Sequence, residues 1–210
     1  MKIVSIILAR GGSKGIPKKN IIDLNGQPLI QYTINASQNS KVHETWVSTD
    51  DDDIARIAED ANALVLKRPS ALATDISQSE DALMHFADNV DFDILVFIQP
   101  TSPLLEHTYI DDGLAMMSDY DSVFSAYKEH WQPRWERNVT PYMWSTRRRP
   151  RRQDREELYV ENGAFYITTK QRLMQSKLRY SGRTGIVEMP LQKSFQIDTY
   201  EDLELIQRLL

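Results

Sequence analysis

Asp93-Ile94-Leu95-Val96-Phe97-Ile98 is the most continuously apolar run in the chain. A strand with one wet face alternates apolar and polar residues, whereas a run like this one needs cover on both faces, as at the centre of a parallel sheet. Ile3 to Leu8 repeats the pattern near the start, and shorter β-rich runs stand at 45–49, 63–66 and 121–126. Between them, apolar residues recur at helical spacing. Leu29, Tyr32, Thr33 and Ala36 follow Pro28, while Ile54, Ile57, Ala58 and Ala61 follow an acidic run. Further helices are expected over 80–90 and 109–117. Strands alternating with helices predict an α/β fold around a doubly wound, mostly parallel sheet.

A chain of 210 residues can bury a sizeable core, so one domain is expected over 1–210. The net charge of −5 argues against general nucleic-acid binding, and the absence of Cys removes disulfides and thiolate chemistry. His43, His85, His107 and His130 have no ligand spacing among them. No run approaches the roughly 18 apolar residues of a membrane span. Arg10 stands where a signal peptide would need small residues, so Ile3 to Leu8 reads as a core strand and a cytoplasmic setting is expected.

The first strand runs into Ala9-Arg10-Gly11-Gly12-Ser13-Lys14-Gly15-Ile16-Pro17-Lys18-Lys19-Asn20. Little side-chain bulk here lets backbone N–H groups approach an anion, and Arg10, Lys14, Lys18 and Lys19 supply cations. Lys14 precedes Gly15 and no Ser or Thr follows it, so this is not a Walker loop; Gly-Gly-x-x-Gly is not the dinucleotide fingerprint either. Asp51 to Asp53 are expected to cap a helix. Arg68 before Pro69 can meet a phosphate or base edge with paired donors. Ser77 or Ser79 is expected to cap the helix that follows. Gln99, in Gln99-Pro100-Thr101-Ser102-Pro103-Leu104, lies beyond the most buried strand, where open α/β sheets bind ligands. Near the end, residues 195–198 read as a strand entering a helix, with Thr199 and Asp202 as a capping box. Asp198 is thereby free to face a cleft and hold a hard cation.

Ser13-Lys14-Gly15 with Pro17 and Lys19-Asn20 resembles the first motif of the CMP-acylneuraminate synthetases, the cytidylyltransferases that activate sialic acid and related nine-carbon sugar acids. The segments 48–50, 68–79, 99–104, 152–166 and 195–203 extend that resemblance along most of the chain. It implies a Rossmann-like nucleotidyltransferase fold, CTP as one substrate and a sialic, legionaminic or similar acid as the other. Arg10, Gly11, Gly12, Ser13, Asn20, Arg68 and Ser79 would then bind nucleotide, and Lys14, Lys19 and Asp198 would serve catalysis. Gln99, Arg152, Asn162, Gly163 and Ala164 would bind the sugar acid, with Arg152 on its carboxylate. Asp198 would carry Mg²⁺ or Mn²⁺; many members have a second acid at the place of Gln196. The irregular stretch 128–157, rich in Trp and Arg, corresponds to the family's dimerisation segment and implies a homodimer. The rival expectation is a non-catalytic nucleotide- or RNA-binding module using the Gly/Lys loop and the arginine run.

Overall fold

In the computed structural model every residue is described except Trp131, and Arg152 only by its backbone. The elements are β1 (Ile3–Leu8), β2 (Asp23–Leu24), β3 (Gln27–Pro28), α1 (Leu29–Gln38), β4 (Glu44–Thr49), α2 (Asp52–Asp60), β5 (Leu64–Lys67) and α3 (Ser79–Asn89). There follow β6 (Ile94–Ile98), α4 (His107–Met116), β7 (Ser122–Lys128), β8 (Tyr159–Thr169), α5 (Lys170–Ser176), β9 (Thr184–Glu188) and α6 (Tyr200–Gln207). A seven-stranded sheet has the order β5-β4-β1-β6-β8-β7-β9.

The apolar run at 94–98 is the middle strand, buried at every position. It pairs in parallel with β1 and antiparallel with β8. Both faces are covered. Ile30 and Ile34 of α1, Ile54 and Ala58 of α2 and Ile110 of α4 pack on one side; Leu83 and Phe86 of α3 and Leu173 of α5 pack on the other. Full burial of a side chain such as Phe86 contributes about 1.5–3 kcal/mol. A third apolar cluster joins Ile16 of the first loop to Leu24, Leu29, Leu104, Ile197, Leu203 and Ile206, anchoring that loop on its outer side.

Connectivity decides where a ligand can sit. From β1 the chain moves outward through β4 to β5 and returns to β6 on the opposite side of β1. Because these four strands are parallel, their C-terminal ends share one edge, and the reversal opens a crevice there. Antiparallel β8 sets Phe165 opposite Ile98, so residues 162–164 arrive at the same edge.

Two expectations need correction. Residues 195–198 make no ladder; Ile197 donates its N–H to the Thr101 carbonyl at 2.9 Å, holding the segment as an extended tether. Neither Ser77 nor Ser79 caps α3: Gln78 is the N-cap residue, and its N–H reaches the Asp81 carboxylate at 3.4 Å. The Thr199–Asp202 box does form on α6, and Asp51 caps α2 through Asp53 and Ile54 N–H groups at 2.9 and 3.0 Å.

Candidate active site

Two glycines of the first loop are demanded by close approach. A Cβ on Gly11 would stand 2.7 Å from the capping Asp51 carboxylate, and one on Gly15 would stand 2.5 Å from the Asp198 backbone carbonyl. Gly12 faces open space, so its smallness serves access and not packing. The loop is pinned at both ends: Gly11 N–H donates to Asp50 Oδ1 at 3.0 Å, and buried Asn20 donates from Nδ2 to the Arg10 carbonyl at 2.9 Å. Asn20 thus shapes the loop besides lining the cleft.

The loop's cations do not act alike. Lys19 is largely buried and meets Asp198 Oδ1 at 2.7 Å. Arg10 and Lys14 reach the other way, to the two oxygens of Asp75 at 2.8 and 3.2 Å. Lys18, in a left-handed turn with φ 51°, leaves the site and pairs with Asp53 of α2 at 2.8 Å.

Arg68 follows β5 and is only 6% exposed. Its Nε and Nη2 are buried without a hydrogen-bond partner. Burial holds its pKa below the usual guanidinium range, and the neighbouring Asp50 charge offsets part of that cost. A buried guanidinium with unused donors at the wall of a cleft is built to receive an anionic or carbonyl oxygen. Asp50 therefore anchors the loop through Gly11 and counters the charge of Arg68.

At the end of β6, Gln99 donates its backbone N–H to the Ala164 carbonyl at 3.1 Å, which joins the two expected substrate segments. Gly163 has φ +71°, and a Cβ there would lie 2.6 Å from Gln196 Nε2 and 3.3 Å from Gln99 Nε2. Glycine is required at this position. The polar atoms of Asn162 are engaged: its Oδ1 accepts from Ser125 Oγ and Ala164 N–H, while Nδ2 bonds Ser194 Oγ at 2.9 Å and Met189 Sδ. Asn162 and fully covered Ala164 hold the turn in place, and the surface they leave to a ligand is small.

Gln196 donates from Nε2 to the Asn162 carbonyl and accepts from Thr101 Oγ1 at 3.4 Å, so it ties β8 to the loop after β6. Asp202 is consumed by the N–H groups of Asp198 and Thr199 at 3.0 and 2.8 Å. That leaves Asp198, paired with Lys19 through Oδ1 and otherwise open, as the carboxylate of this corner that faces the cleft, and no group of three His, Cys, Asp or Glu able to hold a metal occurs among the described residues. One carboxylate with room for phosphate oxygens and water is a donor set that suits Mg²⁺ or Mn²⁺.

A cleft of about 490 Å³ collects Arg10, Ser13, Lys14, Lys19, Asn20, Arg68, Ser79, Gln99 and Asp198 on its wall. Leu8, Leu72, Thr74, Gln78, Pro100 and Thr101 line it too, though sequence reasoning assigned none of them a contact; apolar and small side chains carry no chemical signal of a site, and a single Gln before a helix carries little more. Arg152 sits in a short helical turn within the irregular stretch, and its side chain lies outside the described residues, as does Trp131. Part of the arginine run is internally engaged, Arg151 forking onto Asp154 at 2.7 and 2.8 Å and Arg149 lying over the Trp144 ring, and Arg134, earlier in the stretch, meets Glu129.

The family model described as "Cytidylyltransferase" matches residues 4–210. N-acylneuraminate cytidylyltransferase B of Danio rerio is 38% identical over 92% of this chain and 48% of its own length. N-acylneuraminate cytidylyltransferase of Streptococcus agalactiae serotype V is 33% identical over 96% of this chain and 52% of its own. The chain spans about half the length of the curated relatives it matches. Among solved structures, a CMP:2-keto-3-deoxy-manno-octonic acid synthetase complexed with CTP aligns with a TM-score of 0.76 at 20% identity, covering 100% of this chain and 98% of the other. A 4-diphosphocytidyl-2C-methyl-D-erythritol synthase from Anaerococcus prevotii aligns at 0.74 and 13%, covering 99% and 97%. At such identities these two show a shared fold.

Proposed function

We propose that this chain, which belongs to the cytidylyltransferase family, transfers the cytidylyl group of CTP to a nine-carbon 2-keto sugar acid and releases pyrophosphate. The observation that carries the reading is the cleft itself, where Lys19, Arg68, Gln99 and Asp198 converge with Arg10 and Lys14 at the ends of β1, β5 and β6. The names of the relatives direct the choice of sugar acid.

The anomeric oxygen of the acid bonds to the α-phosphorus as the bond to the bridging oxygen breaks; pyrophosphate departs with that electron pair, and the anomeric proton goes to solvent. Such a transfer asks the protein for positioning and charge neutralisation. Arg10, Lys14 and Lys19 neutralise the departing phosphates, while Ser13 and the Gly11–Gly12 backbone shape their bed. Arg68 and Ser79 seat the nucleotide, and Gln99 with the 162–164 turn faces the sugar. Arg152 meets the sugar carboxylate, by analogy with the family. Asp198 would hold Mg²⁺ or Mn²⁺, which when bound supplies further positive charge at the phosphates. The segment between β7 and β8 would join two chains as a homodimer.

The test is pyrophosphate release with Mg²⁺ and each of the four nucleoside triphosphates, against N-acetylneuraminic, legionaminic and pseudaminic acids and Kdo. Release with CTP and a nine-carbon acid is expected, reduced about a hundredfold or more in Asp198→Asn. Silence across the panel from folded protein would overturn the assignment.

A further inference from the structure

We propose that Asp75 is an internal competitor for the phosphate seats: it holds Arg10 and Lys14 until a polyphosphate displaces it, and takes them back as pyrophosphate leaves. The proposal rests on reading the cleft as a nucleoside triphosphate site. Each Asp75 oxygen takes a different cation, Arg10 Nη1 at 2.8 Å and Lys14 Nζ at 3.2 Å, so the carboxylate bridges the pair as a phosphate group would. The hydrogen bond from Arg10, then that from Lys14, keeps its carboxyl below the usual carboxylate range, so it is an anion at neutral pH.

The two ion-paired corners of the cleft differ in kind. The Lys19 side chain is only 16% exposed, although its partner Asp198 is open to water. Asp75 and Lys14 are both open to water. Water and salt weaken such a pair, which suits it to exchange.

The turn that carries Asp75 is also closed on itself. Ser77 Oγ accepts from the Thr74 N–H at 3.1 Å, bonds the Thr74 hydroxyl at 2.7 Å and donates to the Ala71 carbonyl at 3.2 Å. Ile76 at its tip is 92% exposed. Beyond these bonds, Arg10 reaches the turn at Asp75 and, more weakly, at the Ala73 carbonyl 3.5 Å away. A segment with so little buried surface opens at low cost. Thr74, Gln78 and Ser79 line the cleft on either side of Asp75, so movement of this turn reshapes the nucleotide seat.

The sign of one substitution separates competition from support. If Asp75 merely held Arg10 and Lys14 in place, removing its charge would weaken anion binding; if it competes, removal strengthens it. Inorganic pyrophosphate and inorganic triphosphate are titrated calorimetrically at fixed ionic strength into the native chain, Asp75→Asn and Asp75→Ala. Both variants are expected to bind each anion roughly two- to tenfold more tightly. The gain should vanish when Arg10→Gln and Lys14→Gln are added. Equal or weaker binding by the variants, with the native chain binding normally, overturns the competitor and leaves the phosphate site standing. Failure of the folded native chain and both variants to bind either anion overturns the phosphate site together with the competitor.

Discussion

The cleft edge of the sheet and the stretch from 129 to 158 are made by different means. At the cleft, four parallel strand ends fix the origins of the loops, and packing sets the rest: Gly15 against the Asp198 carbonyl, Gly163 against Gln196, Ile16 in the third apolar cluster. In the 129–158 stretch, outside the helical turn at Arg152–Asp154, the ladder among the described residues reduces to the isolated bridges Trp135 with Pro141 and Ser145 with Arg148. Trp135, Val139, Tyr142 and Met143 are exposed there, and β-branched Val139 lies at φ 65°. Such strain persists only where surroundings impose it, and within one chain these surroundings are thin. One region is thus determined by its own chain; the other is left with apolar surface that a second surface would cover.

The largest expected effect lies at the cleft. Lys19→Met removes a largely buried cation and leaves Asp198 without its 2.7 Å partner, while the backbone of the loop stays tied by Asn20 and Gly11. Turnover with CTP and the preferred acid should fall about a hundredfold or more, with thermal unfolding nearly unchanged. A large fall in melting temperature would mean that Lys19 holds the fold and not the phosphates, and the contrast between the regions would blur.

The next effect tests the body of the sheet. Arg179 forks onto Glu80 at 2.7 and 3.0 Å and lies over the rings of Phe97 and Tyr166. Arg179→Met should cost about 1–3 kcal/mol at pH 7, measured by denaturant unfolding. The hydrogen bond from Arg179 depresses the Glu80 carboxyl in the folded protein. This stabilisation is therefore complete above the unfolded carboxyl range, near about pH 4.3, and is lost as pH falls through the lower folded value. The gap between native chain and variant should shrink below about pH 4; a gap that stays constant would assign the cost to lost ring packing alone.

How far the sequence could be read follows the same division. The continuous run at 94–98 identified the central strand because two-sided burial removes polar alternation, and the Gly/Lys loop after β1 marked the cleft because its residue types are unusual together. The capping acids of α2 and the Thr199 box were legible because capping is local chemistry. By contrast, the antiparallel direction of β8 was not deduced: a buried run looks alike in either direction. The tether at 195–198 read as a strand because alternation cannot tell a ladder from an extended segment bound through one N–H. Asp75 gave no sign of its two partners, since a lone exposed Asp in a polar turn resembles any other. Asn162 matched a substrate-lining motif, yet its side chain is spent on nearby Ala164, on Ser125, which the pairing of β8 with β7 brings within reach, and on Met189 and Ser194, which follow β9.

The smallest effect on a single chain is expected where the irregular stretch is least supported. Trp135 and Trp144 meet edge to face with ring centroids 4.8 Å apart, and Trp144 donates from Nε1 to the Arg134 carbonyl at 2.9 Å. An exposed aromatic pair of this kind is worth about 0.5–1.5 kcal/mol at most. Its loss should open the segment locally without reaching the sheet, so Trp135→Ala should change global unfolding by less than about 1 kcal/mol. The same ring is nearly half exposed in the single chain, so a second copy seated on this surface would bury it, and aromatic residues at interface centres dominate association. Sedimentation of the native chain and Trp135→Ala at matched concentrations reads the difference. A dimer that weakens at least tenfold while single-chain unfolding stays put would show the stretch to be completed by its neighbour. A large loss of single-chain stability would instead make it part of the body that the sheet already determines.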